Sequence, residues 1–506
     1  MKNKNLWMVL YTVVLIYCLL SCVSCVKSES GKTDTNPRVP TTIIQVQIPN
    51  ADGQGTQINF NYAVLFEPLI GFFGEAFPVK ILSTAALNTW PDGSSRMITR
   101  DDYIGDSLGD FGVTFLLKAP SGEPVSDGEP IVPDELVSVR IEIEGDRFIR
   151  KSSINVDMPL DREIEIFPRI VYDYNALERL VQPASENVYF RLLYGSVPLL
   201  EKTEVVRFHS VNEVPYYVID RRDDENIEDY TFLFAAYVNE DDPLIDKILQ
   251  EALQIGTAEK IGLGSDFSFS GYQKEDENGD ASLSVDLQVL AVWSVFLNHN
   301  IKYSNITTTS TESNKMASQY VRTLGESFGN TQANCVDGSV LFASILRKIG
   351  IQPFLVLVPG HMFVAYLQDD DPYSIGFLET TMMGDVDISK HTKDDSFMGK
   401  LKRWSGLGKT QSSVTLNSFL AAQTAGRERY YDATIELWLE NAEDPEAREK
   451  LMNDDEQVIE ALIKLLGEDE QAYEDREELW NNGDGRYAII DIKSCRYVGV
   501  MPITRY

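Results

Sequence analysis

The hydrophobic period of the chain changes near residue 240, and this change limits the folds that it can adopt. Between residues 42 and 220 short runs of alternating or apolar residues recur, separated by turn clusters such as Pro91-Asp92-Gly93. Such runs are typical of strands. They include Ile43–Ile48, Val113–Leu117, Leu136–Ile143 and Val188–Leu193. The sequence therefore predicts a β-rich, sandwich-like region at 42–220.

After Pro243 the apolar residues are spaced as on helices, which predicts a domain of another class. The segment Asn334–Glu379 is predicted to form one helix followed by three strands. We therefore expect a mixed domain at 240–390 and an α+β chain as a whole. The helical candidates ahead of that segment are Pro243–Leu253, Leu283–Leu297 and Met316–Leu324.

Residues 410–506 continue the helical pattern and end on a predicted strand at Tyr487–Ile492. We expect a helical extension whose final strand packs back on the core. A chain of 506 residues has room for about three such folded units. Acidic residues outnumber basic ones by 78 to 45, and the formal net charge is -33. A field of that sign repels phosphate backbones, so nucleic acid is not expected as a partner.

The first 25 residues are typical of an export signal or anchor. Lys2 and Lys4 precede an uncharged, mostly apolar run from Asn5 to Val26. The run is long enough to span a bilayer as a helix, which is one way to hold the protein at a membrane. Residues 26–41 are polar and lack apolar periodicity, so they are predicted to form a flexible tether.

A lipid anchor is the alternative to a spanning helix, and it is the one that we favour. The sequence Leu19-Leu20-Ser21-Cys22 resembles the lipobox of bacterial lipoproteins, which implies a lipid on Cys22. Cys25, preceded by Ser24, is a second candidate. Either anchor predicts an exported, membrane-anchored protein whose folded part lies on the periplasmic or cell-surface side.

Beyond residue 25 the chain has two cysteines, Cys335 and Cys495. An exported protein with so few cysteines has no disulfide framework, and its stability must come from packed cores. The simplest interpretations of Cys335 are an inert packed thiol or a disulfide with Cys495. The residues that follow Cys335 favour a different interpretation.

Cys335 is predicted to open a helix. The run Ser339–Ile349 is mostly apolar or small, and Gly350 supplies a helix C-cap. At a helix N-terminus the unpaired backbone N–H groups and the helix dipole favour a thiolate over a thiol. The same N–H groups can stabilise an oxyanion.

Two strands of a predicted hairpin carry His361 and Glu379. The polar stretch between them is centred near Asp370, so position 379 is predicted to lie opposite position 361. A carboxylate there would fix the imidazole tautomer and leave the other ring nitrogen to accept the thiol proton. A bulge in the turn would instead bring Thr380 or Thr381 opposite His361.

This ordered set of residues resembles the bacterial transglutaminase-like family of the papain-like superfamily. At the position of Glu379 this family usually has Asp. The Trp that the family commonly has around its His and acid positions is absent here. The resemblance implies a papain-like α+β fold with Cys335, His361 and Glu379 as a catalytic triad. Gln332 is similar to the papain-like Gln that donates an amide to the oxyanion, although the spacing is shorter here. The matching segments are Cys335-Val336-Asp337, Leu346–Ile351, Pro359-Gly360-His361 and Leu378-Glu379-Thr380.

No metal and no cofactor are expected. His209, His299 and His391 lack the paired spacing of metal ligands, and the sequence contains no Gly-rich phosphate loop.

The sequence thus supports two hypotheses of different classes. The first is a cysteine-dependent acyl-transfer enzyme, a protease, amidase or transamidase, that acts on protein or peptide substrates at the cell envelope. The second is a non-catalytic surface lipoprotein that uses the transglutaminase-like fold and the β-rich region as a binding scaffold.

Overall fold

A computed structural model describes most of the chain beyond residue 43. The described residues form two compact units, which meet in sequence between Val211 and Asn212. The predicted anchor with Cys22 and the predicted tether at 26–41 lie outside them. The described residues are 44–48, 60–70, 75–77, 111–118, 136–159, 163–166, 168, 170–177, 179–180, 182–219, 227–258, 263–304, 316–329, 331–383, 411–441, 446–453, 456–467, 469–481, 485–497 and 500–503.

The first unit is built from strands. One sheet has the order β1-β2-β4-β8, a second has the order β3-β11-β10-β5-β7, and β6 pairs with β9. A short helix, α1 (Tyr174–Leu177), follows β9. The strands are β1 (Ile44–Ile48), β2 (Phe60–Ile70), β3 (Glu75–Ala76), β4 (Phe111–Lys118), β5 (Leu136–Gly145), β6 (Ile149–Arg150), β7 (Ser152–Pro159), β8 (Glu163–Ile166), β9 (Val171–Tyr172), β10 (Ala184–Tyr194) and β11 (Val197–Phe208).

The two larger sheets of the first unit share one hydrophobic core. Alternate side chains along the strands are buried, as in β7 and β10, because successive residues of a strand point to opposite faces. Phe111 of β4 stacks on Phe208 of β11 with ring centroids 5.9 Å apart, which joins the two sheets. The unit is therefore stabilised by apolar burial.

The second unit mixes helices and strands. Its strands are β12 (Glu213–Ile219), β13 (Ile227–Asp229), β14 (Lys302–Tyr303), β15 (Met316–Tyr320), β16 (Gln332–Ala333), β17 (Pro353–Val358), β18 (His361–Leu367), β19 (Ile375–Leu378) and β20 (Ala488–Asp491). Its helices are α2 (Pro243–Thr257), α3 (Ser282–Asn298), α4 (Leu324–Gly329), α5 (Cys335–Lys348), α6 (Gln411–Glu440), α7 (Ala447–Met452), α8 (Glu456–Leu465), α9 (Glu470–Asn481) and α10 (Ile492–Tyr497). Short 3-10 helices cover Thr231–Tyr237 and Thr380–Met382. The predicted mixture of helices and sheets is confirmed.

An antiparallel sheet with the order β19-β18-β17-β20 organises the second unit. Helix α5 packs along β17 and β18, and α6 packs along β19. Phe377 of β19 stacks on Tyr430 of α6 at 4.7 Å, and Tyr430 stacks on Trp480 of α9 at 5.4 Å. Residues after 410 therefore supply both a strand and an aromatic layer to the sheet that carries His361.

One predicted helix is wrong. The apolar spacing of Met316–Leu324 fits a helix, but Met316–Tyr320 forms β15 and pairs with β12. Ser318 also donates to buried Glu213 of β12 at 2.7 Å. The backbone bonds to a neighbouring strand outweigh the local preference, as is common for short apolar runs.

Within the described ranges, no helix has the length and apolar character that a membrane span requires.

Candidate active site

Cys335 is the first residue of α5, and Asn334 caps the helix. The Asn334 Oδ1 atom accepts a hydrogen bond from the Asp337 N–H at 2.8 Å, and Asp337 Oδ2 accepts one from the Asn334 N–H at 3.1 Å. This reciprocal pair is a capping box, which satisfies N–H groups that a helix start leaves unpaired. The cap fixes the start of the helix at the cysteine.

Asp337 has a second partner, Arg322. It accepts from the Arg322 backbone N–H at 2.8 Å and from Arg322 Nη1 at 2.6 Å. The Asp337 residue is only 1% exposed, so the ion pair is shielded from solvent. Asp337 therefore holds the start of α5 in place. Among the described residues, none of its hydrogen bonds is made with His361.

His361 is the first residue of β18 and lies between the cysteine and the glutamate. Its imidazole makes a hydrogen bond with the Cys335 side chain, and its Nε2 atom lies 2.7 Å from Glu379 Oε2. The three residues predicted as a triad are thus in one hydrogen-bonded chain. Cys335 is partly exposed, so reagents in solution can reach it.

The Glu379 carboxylate is surrounded by donors. Its Oε1 atom accepts from the Thr381 N–H at 2.9 Å and from Thr381 Oγ1 at 2.6 Å, while Oε2 faces His361. Burial alone would raise the pKa of Glu379, but the bonds from His361 and Thr381 outweigh it and hold this pKa below its usual value. The residue is therefore a carboxylate at neutral pH.

The charge of Glu379 acts on His361. Burial alone would lower the pKa of the imidazole, but its interactions with Cys335 and Glu379 outweigh burial and raise this pKa to about 9. At neutral pH the ring is therefore an imidazolium flanked by a carboxylate and a sulfur atom. Such an arrangement favours a thiolate and imidazolium pair.

The predicted register of the hairpin is wrong by two positions. Val364 pairs with Leu378, so the ladder would place Glu379 opposite Phe363 and not opposite His361. The turn is centred on Asp371, whose carbonyl accepts from the Ser374 N–H at 3.0 Å. Glu379 follows the last strand residue and reaches His361 diagonally, a span that suits a long side chain.

Sequence reasoning missed Arg429 of α6. Its Nε atom lies 2.6 Å from Glu379 Oε2, the oxygen that also binds His361. The helix comes this close because Gly426 has no side chain: a Cβ there would lie 2.9 Å from the Leu378 nitrogen and 3.2 Å from the Glu379 nitrogen. The Glu379 N–H instead donates to the Ala422 carbonyl at 3.0 Å. In the sequence, the signal for this close approach is Gly426, an isolated glycine in a helical pattern.

We expect Gly426→Ala to separate α6 from β19. The added methyl meets backbone atoms, which cannot rotate away, so the free energy of unfolding should fall by about 1–3 kcal/mol. Gly325→Ala in α4 is the matched control, because nothing lies within 4 Å of a Cβ at that position. Thermal unfolding of both variants is the measurement. Equal midpoints for the two variants would contradict the close packing of α6.

Gln332 lies apart from the hydrogen-bonded chain of the site. It belongs to β16, its side chain is exposed, and it makes no side-chain hydrogen bond to any described residue. Its predicted role at the oxyanion stays a prediction.

Two further observations concern the cysteines and the potential metal ligands. Cys335 and Cys495 are both free thiols, so no disulfide joins them. The described residues contain no group of three or more potential metal ligands.

Comparisons with known proteins identify no relative: no family model matches the chain, and no curated protein matches it.

Proposed function

We propose that the protein is a cysteine-dependent acyl-transfer enzyme of the transglutaminase-like type, a protease, amidase or transamidase. The observation that carries this proposal is the chain of hydrogen bonds from Cys335 through His361 to Glu379, with Cys335 at a capped helix N-terminus. Packed inert thiols have no need of a buried carboxylate aligned on an imidazole.

The reaction follows from these positions. The Cys335 sulfur attacks an amide carbonyl carbon and forms a C–S bond, and N–H groups in the first turn of α5 stabilise the oxyanion. The His361 imidazolium gives its proton to the leaving amine as the C–N bond breaks. The neutral imidazole then takes a proton from water or a second amine, which attacks the thioester and frees Cys335. Glu379 keeps the ring oriented throughout.

The proposed setting is the cell envelope. The lipobox-like sequence at Cys22 and the polar tether at 26–41 support an exported, membrane-anchored protein. We further propose a transglutaminase-like fold for residues 240–390 and a sandwich-like fold for residues 42–220. Protein or peptide substrates fit a thiol that attacks amides, and hydrolysis and transamidation differ only in which nucleophile resolves the thioester.

The proposal is tested by the pH dependence of Cys335 alkylation. The full-length protein in detergent is treated with iodoacetamide, and the Cys335 adduct is measured by peptide mass spectrometry. Because His361 keeps its proton until its pKa of about 9, the rate should change less than about fivefold between pH 6 and pH 8.

An unassisted thiol of ordinary pKa near 8.5 loses about 50-fold or more in rate over that interval. A loss of that size in the Cys335 alkylation rate from pH 8 to pH 6 would reject the enzyme hypothesis and favour the non-catalytic scaffold.

A further inference from the structure

Arg429 offers more hydrogen-bond donors than Glu379 uses. Its Nε atom binds Glu379 Oε2, but its side chain is 49% exposed. The two terminal Nη groups make no hydrogen bond to any described residue. A guanidinium held at one nitrogen presents its remaining donors in a fixed plane, the geometry that binds a carboxylate through two bonds.

Tyr303 lies near the 3-10 helix that follows Glu379. It belongs to β14, which lies against the 3-10 helix at Thr380–Met382, and it is 43% exposed. Burial is the main cause that raises the pKa of the Tyr303 hydroxyl, the charges of Cys335 and Glu379 add to the rise, and Arg429 opposes it. Tyr303 therefore lies within electrostatic range of both the thiol and the guanidinium.

The charge of the whole chain makes Arg429 distinctive. The formal net charge is -33, so most of the surface field repels an acidic ligand. A cation tethered to the catalytic carboxylate gives an anion one favourable place to bind. The bonds from sulfur to imidazole, carboxylate and guanidinium span about 10 Å or less, which two to three extended residues cover at about 3.4 Å each.

We propose that Arg429 binds a carboxylate of the acyl donor, so that the enzyme acts on peptides with an acidic group within three residues of the attacked carbonyl. This inference rests on the proposed function of Cys335. It assigns to Arg429 a role in specificity in addition to its bond with Glu379.

Two maleimides that differ only in charge test the proposal. The full-length protein is treated with 3-maleimidopropionate or with its neutral amide, and the rate of each adduct at Cys335 is measured by peptide mass spectrometry near pH 7. We expect Arg429→Gln to lower the ratio of the acidic to the neutral rate by about three- to fivefold, the size of an exposed ion pair. Arg429→Lys should retain most of the ratio.

Arg427→Gln is the matched control. Arg427 is an exposed basic residue two positions away on α6, and removing it changes the net charge equally. In Arg427→Gln the ratio of the acidic to the neutral rate should stay at the wild-type value. A ratio within twofold of wild type in Arg429→Gln would overturn the proposal, because a residue that only positions Glu379 slows both reagents alike. Slow reaction of wild-type Cys335 with both reagents would overturn the proposed function, and this assignment with it.

Discussion

Replacing His361 with alanine should lower the rate of Cys335 alkylation at neutral pH by at least about 30-fold, close to 2 kcal/mol. The variant loses the imidazolium that hydrogen-bonds the sulfur. Glu379→Gln should cost about tenfold, because the amide no longer stabilises the charged ring. The alkylation rate of Glu379→Asp should lie between those of Glu379→Gln and wild type, since aspartate keeps the charge but its shorter side chain reaches less far towards His361. Iodoacetamide kinetics near pH 7 give all three rates.

The chain contains a matched control for these variants. His299 and Glu251 form a second His–Glu pair, with the Nε2 and Oε2 atoms 2.8 Å apart, on an exposed surface. His299→Ala should leave the Cys335 rate within about twofold of wild type, less than 0.5 kcal/mol. If His361→Ala and Glu379→Gln also remain within twofold while the protein stays folded, the triad is wrong.

Asp337→Ala should be the most destabilising change at the site. The variant removes the Asp337 half of the capping box, and with it the buried carboxylate that binds the Arg322 guanidinium and the backbone N–H groups of Arg322 and Asn334. Breaking a buried ion pair by removing one member costs about 3–5 kcal/mol. Unfolding by urea, followed by the fluorescence of the buried Trp293 and Trp480, measures the loss in the second unit.

Asp241→Ala is the control for this prediction. Asp241 also pairs with a basic residue, Lys348, but its side chain is 85% exposed and the atoms lie 3.5 Å apart. Its loss should change the free energy of unfolding by less than about 1 kcal/mol. A cost below about 1 kcal/mol for Asp337→Ala would mean that α5 does not depend on its capping box.

The local parts of the site were predictable because they depend on neighbouring residues. The helix that begins at Cys335, the turn before His361 and the returning strand each follow from spacing and turn residues within a few positions. The meeting of Cys335 with His361 required only that the helix pack on the adjacent strands.

The remaining features depend on contacts between distant parts of the chain. Arg429 is 50 positions after Glu379, and no periodic pattern links an exposed arginine on a helix to a particular carboxylate. The shift of the hairpin register came from backbone bonds within the turn around Asp371, which composition does not specify. Strand β15 was mistaken for a helix because its partner β12 is about 100 positions earlier, at Glu213–Ile219.

The pairing of β20 with β17 means that the sheet carrying His361 is completed by residues made late in synthesis. Ribosomes make Cys335, His361 and Glu379 well before Arg429 and before Ala488–Asp491, the strand that borders β17. Until those later residues emerge, β17 has an open edge and the Glu379 carboxylate lacks the helix that covers it. The complete surroundings of Cys335, His361 and Glu379 therefore form only after Arg429 and Ala488–Asp491 have been made.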